Sequence, residues 1–202
     1  MDIRADIVNI ATDIARKDDR LLVDTNVLFW WFYPDQLTES RDIQQKRSYD
    51  TYFEKIAQVG AQLYYCQASL IELAHVIEKT KLEIYNRVNN TLYRLKEYRH
   101  QAGDERKSVV EAIESCWESI KNNAEPIDVT YDDRSLQHAL AGLTTYQVDA
   151  YDYIQIDAMQ MHNITDILTD DGDYATVAAI RVFTNRWQTI NQARGVNKLI
   201  RR

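Results

Sequence analysis

The sequence predicts an α/β protein built on a mostly parallel sheet. Two short apolar runs end in polar residues, LLVD at 21–24 and DILT at 166–169, as is typical of buried parallel strands. Between them lie longer stretches with apolar residues at helical spacing, and strands that alternate with helices form parallel sheets. Because the 202 residues include only 5 glycines and 2 prolines, we expect long helices and little irregular structure.

The remaining elements follow in chain order. Isoleucines at helical spacing predict an amphipathic helix over residues 1–19. Gly103 and Asp104 separate two helical patterns and predict a helical hairpin over 82–121. The further predicted strands are QLYYCQ (62–67), RVFTN (181–185) and the weaker PIDVT (126–130), and the further predicted helices are 49–60, 69–80, 132–143 and 152–163.

Composition excludes several classes of protein. The net charge of −7 and the pI of about 5.1 argue against a strongly electrostatic, nonspecific nucleic-acid binder. They do not argue against a nuclease, because metal-binding carboxylates themselves add negative charge. No apolar run reaches the ~18 residues that span a bilayer. Cys66 and Cys116 match no metal-ligand spacing and are expected to be buried thiols in a reducing cytoplasm.

Carboxylates stand where predicted strands end. Asp24 closes the first strand, and Asp171 and Asp173 lie in the loop after DILT, so the parallel sheet should bring them to one edge. Glu72 lies early in the helix after the second strand, and Asp152 begins an apolar helix. Unbalanced carboxylates raise one another's pKa, and a divalent cation removes that penalty. Ligands that are all oxygen favour Mg²⁺ or Mn²⁺.

Each of these acids also has a structural explanation. Asp24 and Asp152 can be plain helix N-caps, and Ser69 with Glu72 fits a capping box. The TDDGDY segment can be an ordinary turn or a calcium-like loop, although it lacks the full EF-hand spacing. The occurrence of all these acids together, in this order and at the ends of predicted elements, favours a metal site over the separate structural explanations.

Three segments together resemble the motifs of the PIN domain family, a nuclease fold best known from toxins of bacterial and archaeal toxin–antitoxin pairs. They are LLVDTNVL (21–28), ASLIELAHVI (68–77) and YDYIQIDAMQMHNITDILTDDGDY (151–174). The resemblance covers roughly 20–80 and 126–185. It implies one PIN-like domain over 1–202, with a three-layer fold and a parallel sheet of four to five strands. The N-terminal helix and the hairpin over 82–121 would be additions to it.

The resemblance also implies the chemistry, which is Mg²⁺- or Mn²⁺-dependent hydrolysis of RNA by an endoribonuclease. Its metal ligands would be Asp24, Glu72, Asp152 and Asp171, with Asp173 at a second ion or in the outer shell. Thr25, Asn26 and Thr169 would orient these carboxylates or a phosphate oxygen. Asp149, Asp157 and Asp170 are surplus acids, and Asp170 or Asp173 can share the role given to Asp171.

Partners and alternatives stay open at the level of sequence. An antitoxin protein and a second copy of the chain are partners that the resemblance raises and the sequence does not show. A DNA-directed nuclease and a catalytically inactive scaffold that binds RNA or protein are the main alternatives. A phosphatase with an aspartate nucleophile is disfavoured, because Asn26 stands where its second aspartate belongs. The basic segments 94–100 and 191–202 and the aromatic run 29–33 fit solvated faces and core packing better than RNA contacts.

Overall fold

The computed structural model describes residues 1–33, 40–130 and 132–202. The strands in these ranges form one sheet in which every pair is parallel, in the order β4-β3-β2-β5-β6-β1-β7. The strands are β1 (Asp6–Asn9), β2 (Arg20–Val23), β3 (Gln62–Cys66), β4 (Glu125–Ile127), β5 (Asp166–Leu168), β6 (Arg181–Thr184) and β7 (Leu199–Ile200). The parallel α/β fold predicted from sequence is therefore confirmed.

Helices connect the strands. They are α1 (Thr25–Phe32), α2 (Ser40–Val59), α3 (Ser69–Asn89), α4 (Leu95–Gln101), α5 (Gly103–Asn123), α6 (Asp133–Thr145), α7 (Ala150–Met161) and α8 (Trp187–Gly195), with a 3-10 turn at Asp173–Thr176. None of the helices in the described residues is both long and apolar enough to cross a membrane.

The helices form layers on the two faces of the sheet. In β2, Leu22 packs with residues of α7 and α8, whereas Leu21 and Val23 pack with residues of α1, α2, α3 and α5. This alternation follows from the two-residue period of a strand. It gives the expected three-layer arrangement, with strands buried on both faces. The sheet has seven strands in the described residues rather than the expected four to five, because β1 and β7 extend it beyond β6.

The first 19 residues do not form the predicted helix. β1 lies between β6 and β7, with Ile7 buried on one face of the sheet and Val8 on the other, while Ile14 is exposed. The isoleucine spacing fits a short strand with flanking loops as well as it fits a helix. The strands that pair with β1 come from the other end of the chain, so a local sequence pattern cannot reveal them.

The hairpin predicted over 82–121 is helical, but its boundaries are wrong. α3 continues through residue 82 and ends where Asn90 adopts a left-handed backbone with φ 52°. Gly103 begins α5 rather than ending a helix, and the short α4 lies between α3 and α5. No glycine or proline occurs within α3. The chain therefore lacks a helix breaker before Asn90, whose side chain tolerates the left-handed conformation of a helix C-cap.

A buried ion cluster joins the two ends of the chain to α2. The Arg202 guanidinium donates to Asp13 at 2.7 Å and to Asp19 at 2.6 Å, and Tyr52 Oη donates to Asp13 at 2.6 Å. The Arg202 side chain is 4% exposed, and those of the two aspartates are 1% and 3% exposed. Burial raises the pKa of Asp13, but Arg202 and Tyr52 together hold it below its usual value. Each buried charge in the cluster therefore has a partner of opposite charge.

Replacing Arg202 with alanine should destabilise the fold, because it leaves two buried carboxylates without their cation. We expect the free energy of unfolding to fall by about 3–5 kcal/mol. The matched control is Arg201→Ala at the exposed neighbouring position, which should change it by no more than about 0.5 kcal/mol. Urea unfolding followed by circular dichroism measures both variants, and equal losses would contradict a structural role for the cluster.

Candidate functional site

Asp24 is a buried carboxylate at the carboxyl end of β2. It is the N-cap of α1 and accepts hydrogen bonds from Thr25 N at 2.7 Å, Thr169 Oγ1 at 2.6 Å and Gln155 Nε2 at 3.1 Å. Burial raises its pKa to about 7, and the charge of Glu72 adds to the rise, while the hydrogen bonds oppose it. Asp24 is therefore a helix cap, as one explanation from sequence proposed, but a cap whose charge is poorly compensated.

The loop after β5 is fastened to Asp24 through Thr169. Its hydroxyl donates to Asp24 and accepts from the backbone N–H of Asp171 at 2.8 Å. Asp171 Oδ1 in turn accepts from the backbone N–H of Asp173 at 2.8 Å. Asn26 makes two longer contacts with the same loop. Its Nδ2 lies 3.5 Å from Thr169 Oγ1, and its Oδ1 lies 3.4 Å from the backbone nitrogen of Asp170. Thr169 and Asn26 thus hold the ends of β2 and β5 in register.

Glu72 lies in the first turn of α3 and contributes negative charge to the same edge of the sheet. Burial raises its pKa, and the charges of Asp149 and Asp171 raise it further, whereas the nearby Thr25 hydroxyl lowers it. The capping box proposed for this helix does not form, because Ala68 is the N-cap and Ser69 Oγ has no hydrogen-bond partner among the described residues. Glu72 is therefore not explained by capping.

Asp152 occupies the third position of α7, and Asp149 is the N-cap of that helix. Asp149 accepts from the backbone N–H groups of Tyr151 and Asp152, and Asp152 Oδ2 lies 3.4 Å from the Asp149 N–H. Burial raises the pKa of Asp152 to about 8, and the charges of Asp24 and other acids add to the rise. Asp152 is thus the partner of a capping box rather than the plain N-cap considered from sequence.

Two surplus acids point away from this cluster. Asp157 borders a cavity of about 320 Å³ that His138 also lines, on the side of α7 that faces α6. Asp170 accepts a hydrogen bond from Tyr49 Oη of α2 at 3.0 Å. Asp173 stays near the cluster, since burial and then the charge of Asp171 raise its pKa. Of the acids in the β5 loop, Asp171 and Asp173 are therefore the candidates for the site.

Sequence reasoning missed two polar groups around Asp24. Gln155 lies one helical turn after Asp152 and donates to Asp24, while its Oε1 is buried and has no partner within the ranges that the structure describes. Tyr174 is fully buried; its hydroxyl lowers the pKa of Asp152 without forming a well-shaped hydrogen bond. The signal for Gln155 was its three-residue offset from Asp152, which places both on one face of a helix. We see no such signal for Tyr174, which is only the last residue of the segment 151–174 that resembles the family motifs.

The donor atoms suit a hard divalent cation. They are carboxylate oxygens, joined by Gln155 Oε1, which is buried and has no hydrogen-bond partner in the described part of the chain. The raised pKa values of Asp24 and Asp152 indicate surplus negative charge that a cation would neutralise. No three carboxylate, imidazole or thiol groups in the described part of the chain are already gathered closely enough to hold an ion. Cation binding would therefore require the carboxylate side chains to rearrange.

Comparison with known families assigns the fold. A PIN domain model matches residues 21–180, from the start of the apolar part of β2 to the residue before β6. The chain belongs to the PIN domain family. PIN domains are generally nucleases that use divalent metal ions. A search of curated proteins found no match. The match includes all five acids predicted for the site, whereas β1, β6, α8 and β7 lie outside it.

The raised pKa values predict how the cation-free PIN domain responds to pH. The unfolded chain loses these protons near pH 4 and the folded protein near pH 7–8, so the folded state binds more protons in between. The free energy of unfolding contributed by these groups should therefore fall as the pH rises from 4 to 8. Asp152→Asn removes one such group. As the pH rises from 5 to 8, the free energy of unfolding of this variant should increase by about 1–3 kcal/mol relative to that of wild type.

Unfolding of both proteins in chelator at several pH values measures this gain. The control is Asp133→Asn, an exposed change on α6. Parallel pH profiles for wild type and Asp152→Asn would show that Asp152 carries no raised pKa.

Proposed function

We propose that this PIN domain is a Mg²⁺- or Mn²⁺-dependent endoribonuclease that hydrolyses RNA phosphodiester bonds. The observation that carries the proposal is Asp24, which is buried and has a pKa raised to about 7 although three donors hold it. A buried carboxylate with a raised pKa destabilises a fold unless a bound group neutralises its charge. In a nuclease family, a catalytic divalent cation is the group that suits it.

The residues that would hold this cation are Asp24, Glu72, Asp152 and Asp171, with Asp173 at a second ion or in the outer shell. A divalent cation bound there supplies a Lewis acid that lowers the pKa of water and offsets the charge developing on the phosphate. No covalent protein nucleophile is needed, and the sequence shows no Ser–His or Cys–His pattern.

The surrounding side chains orient these carboxylates. Thr169 and Gln155 donate to Asp24 from β5 and α7 and so fix its two oxygens. Thr169 also positions the N–H of Asp171, which couples the second acid to the first. Asp152 holds a proton at neutral pH when no cation is bound, because its pKa is about 8. Cation binding would release that proton, so affinity should rise with pH.

The proposal predicts cleavage of a labelled RNA pool by the purified protein in Mg²⁺ or Mn²⁺ and none in chelator. The double variant Asp24→Asn plus Asp171→Asn, purified identically, should cleave at least ~100-fold more slowly, because two oxygen ligands become weaker. Asp133→Asn on the exposed side of α6 is the matched control and should cleave like wild type. A metal-induced rise in Tm provides a readout independent of cleavage.

The other outcomes separate the alternatives. Equal activity of wild type and double variant would identify a contaminant. Preference for matched DNA would make the protein a DNA-directed nuclease. No cleavage and no metal-induced rise in Tm would favour an inactive scaffold that binds RNA or protein.

The proposal extends to the toxin of a toxin–antitoxin pair, whose protein partner would block the site. Among the described residues, no basic side chain is a main determinant of the pKa of Asp24, Glu72 or Asp152. An arginine of a partner protein could therefore pair with these carboxylates.

This role predicts that induced expression stops growth of a bacterial host, whereas expression of Asp24→Asn at equal protein level does not. Growth curves with immunoblots of both proteins measure it. Normal growth with active wild-type protein would remove the toxin role and leave the nuclease standing.

A further inference from the structure

Arg186 lies at the carboxyl end of β6, on the same sheet edge as the acids. Its Nη1 donates to the backbone carbonyl of Asp170 at 2.9 Å, and its backbone N–H donates to Thr184 Oγ1 at 3.0 Å. A β-carbon placed on Gly172 would lie 3.5 Å from Arg186 Nε. The guanidinium therefore packs against the loop segment that separates Asp171 from Asp173.

Most hydrogen-bonding capacity of this guanidinium is unused within the described residues. Arginine has five N–H donors, and the structure assigns the Arg186 side chain one hydrogen bond there. Its charge lowers the pKa of Asp173 against the effects of burial and Asp171. A guanidinium that is anchored at one nitrogen and partly exposed suits a phosphate oxygen.

The next residue, Trp187, presents a large aromatic surface to solvent. It begins α8 and is 70% exposed, whereas Thr189, Ile190 and Ala193 form the buried face of that helix. An indole ring in this position adds little to the core. It offers a flat face that stacks on an unpaired base.

Trp187 differs from the other tryptophans of the chain. Trp30 packs on Tyr49, Trp31 stacks on Phe53 with ring centroids 3.5 Å apart, and Trp117 meets the edge of Tyr65. In the described residues, Trp187 has no such ring partner. The aromatic run at 29–33 is thus used for packing, whereas Trp187 is exposed next to Arg186.

Three basic residues of the segments 94–100 and 191–202 are used within the fold. Arg99 pairs with the buried Glu78, Lys198 pairs with Asp6, and Arg202 is buried. Arg186 instead lies against the acidic loop, with its Nη1 2.9 Å from the carbonyl oxygen of Asp170. It is therefore the better candidate for a substrate phosphate.

We propose that Arg186 and Trp187 together grip single-stranded RNA at the rim of the acidic site. Arg186 binds a backbone phosphate near the carboxylates, and Trp187 stacks on an adjacent unpaired base. This inference rests on the proposed function and assigns the contact with an unpaired strand to these two residues, because stacking on Trp187 needs an exposed base face.

Fluorescence anisotropy of an ~8-nucleotide labelled single-stranded RNA tests the grip. The background is the Asp24→Asn plus Asp171→Asn variant, so that cleavage does not interfere, and salt is varied with and without Mg²⁺. Arg186→Ala should weaken binding and reduce the slope of log K against log salt by about 0.7, the contribution of one phosphate contact. Trp187→Ala should weaken binding ~5–100-fold with the slope unchanged.

Two matched variants make the test specific. Arg194→Ala removes an exposed arginine from the last turn of α8 and should bind like the background protein. Trp187→Phe should retain most of the affinity, whereas Trp187→Leu, which keeps apolar bulk without an aromatic face, should not. Circular dichroism and Tm confirm that every variant is folded.

Three outcomes would contradict the proposal. They are no binding of single-stranded RNA, equal losses of RNA affinity in Arg186→Ala and Arg194→Ala, and full RNA affinity in Trp187→Leu. If wild type cleaves RNA with metal while Arg186→Ala and Trp187→Ala, each also made as a single change in the wild-type protein, bind and cleave normally, the inference fails and the nuclease stands. If no protein cleaves but both variants lose RNA, the grip stands and the nuclease fails.

Discussion

The structure depends on the burial of one carboxylate at the end of a central strand. Asp24 is tolerated there because Thr25, Thr169 and Gln155 donate to it from α1, the end of β5 and α7. A buried carboxylate without such donors would be far more costly. The requirement fixes the register of β2 beside β5 and the approach of α7 to the sheet, and with them the positions of the neighbouring acids.

Two groups of buried acids in this protein show the difference between structural and functional charge. Asp13 and Asp19 have Arg202 between them, and the pKa of Asp13 is lowered despite its burial. Asp24 and Asp152 have raised pKa values, and among the described residues no basic side chain is a main cause of the shift for either. The first group is compensated within the fold, whereas the second reduces stability at neutral pH. Such uncompensated charge is typical of a functional site.

An acidic protein can still present positive charge where an anionic substrate needs it. The net charge is −7, yet the parallel sheet brings the end of β6 to the edge that also carries the acids. Arg186 therefore reaches the loop of Asp171 and Asp173, although it is distant from Asp24 and Glu72 in sequence. Local geometry, more than overall charge, thus decides where a nucleic acid could be held.

The sequence by itself determined the central strands, the parallel α/β class and the family, because these rest on local apolar runs and on motifs at strand ends. Tertiary structure alone decided that residues 6–9 form a strand, since β6 and β7 pair with it from the far end of the chain. It also decided that Asn90 rather than Gly103 ends a helix, and that Arg186 lies against the loop of the acids. Contacts between residues distant in sequence leave no local period, so only the folded chain reveals them.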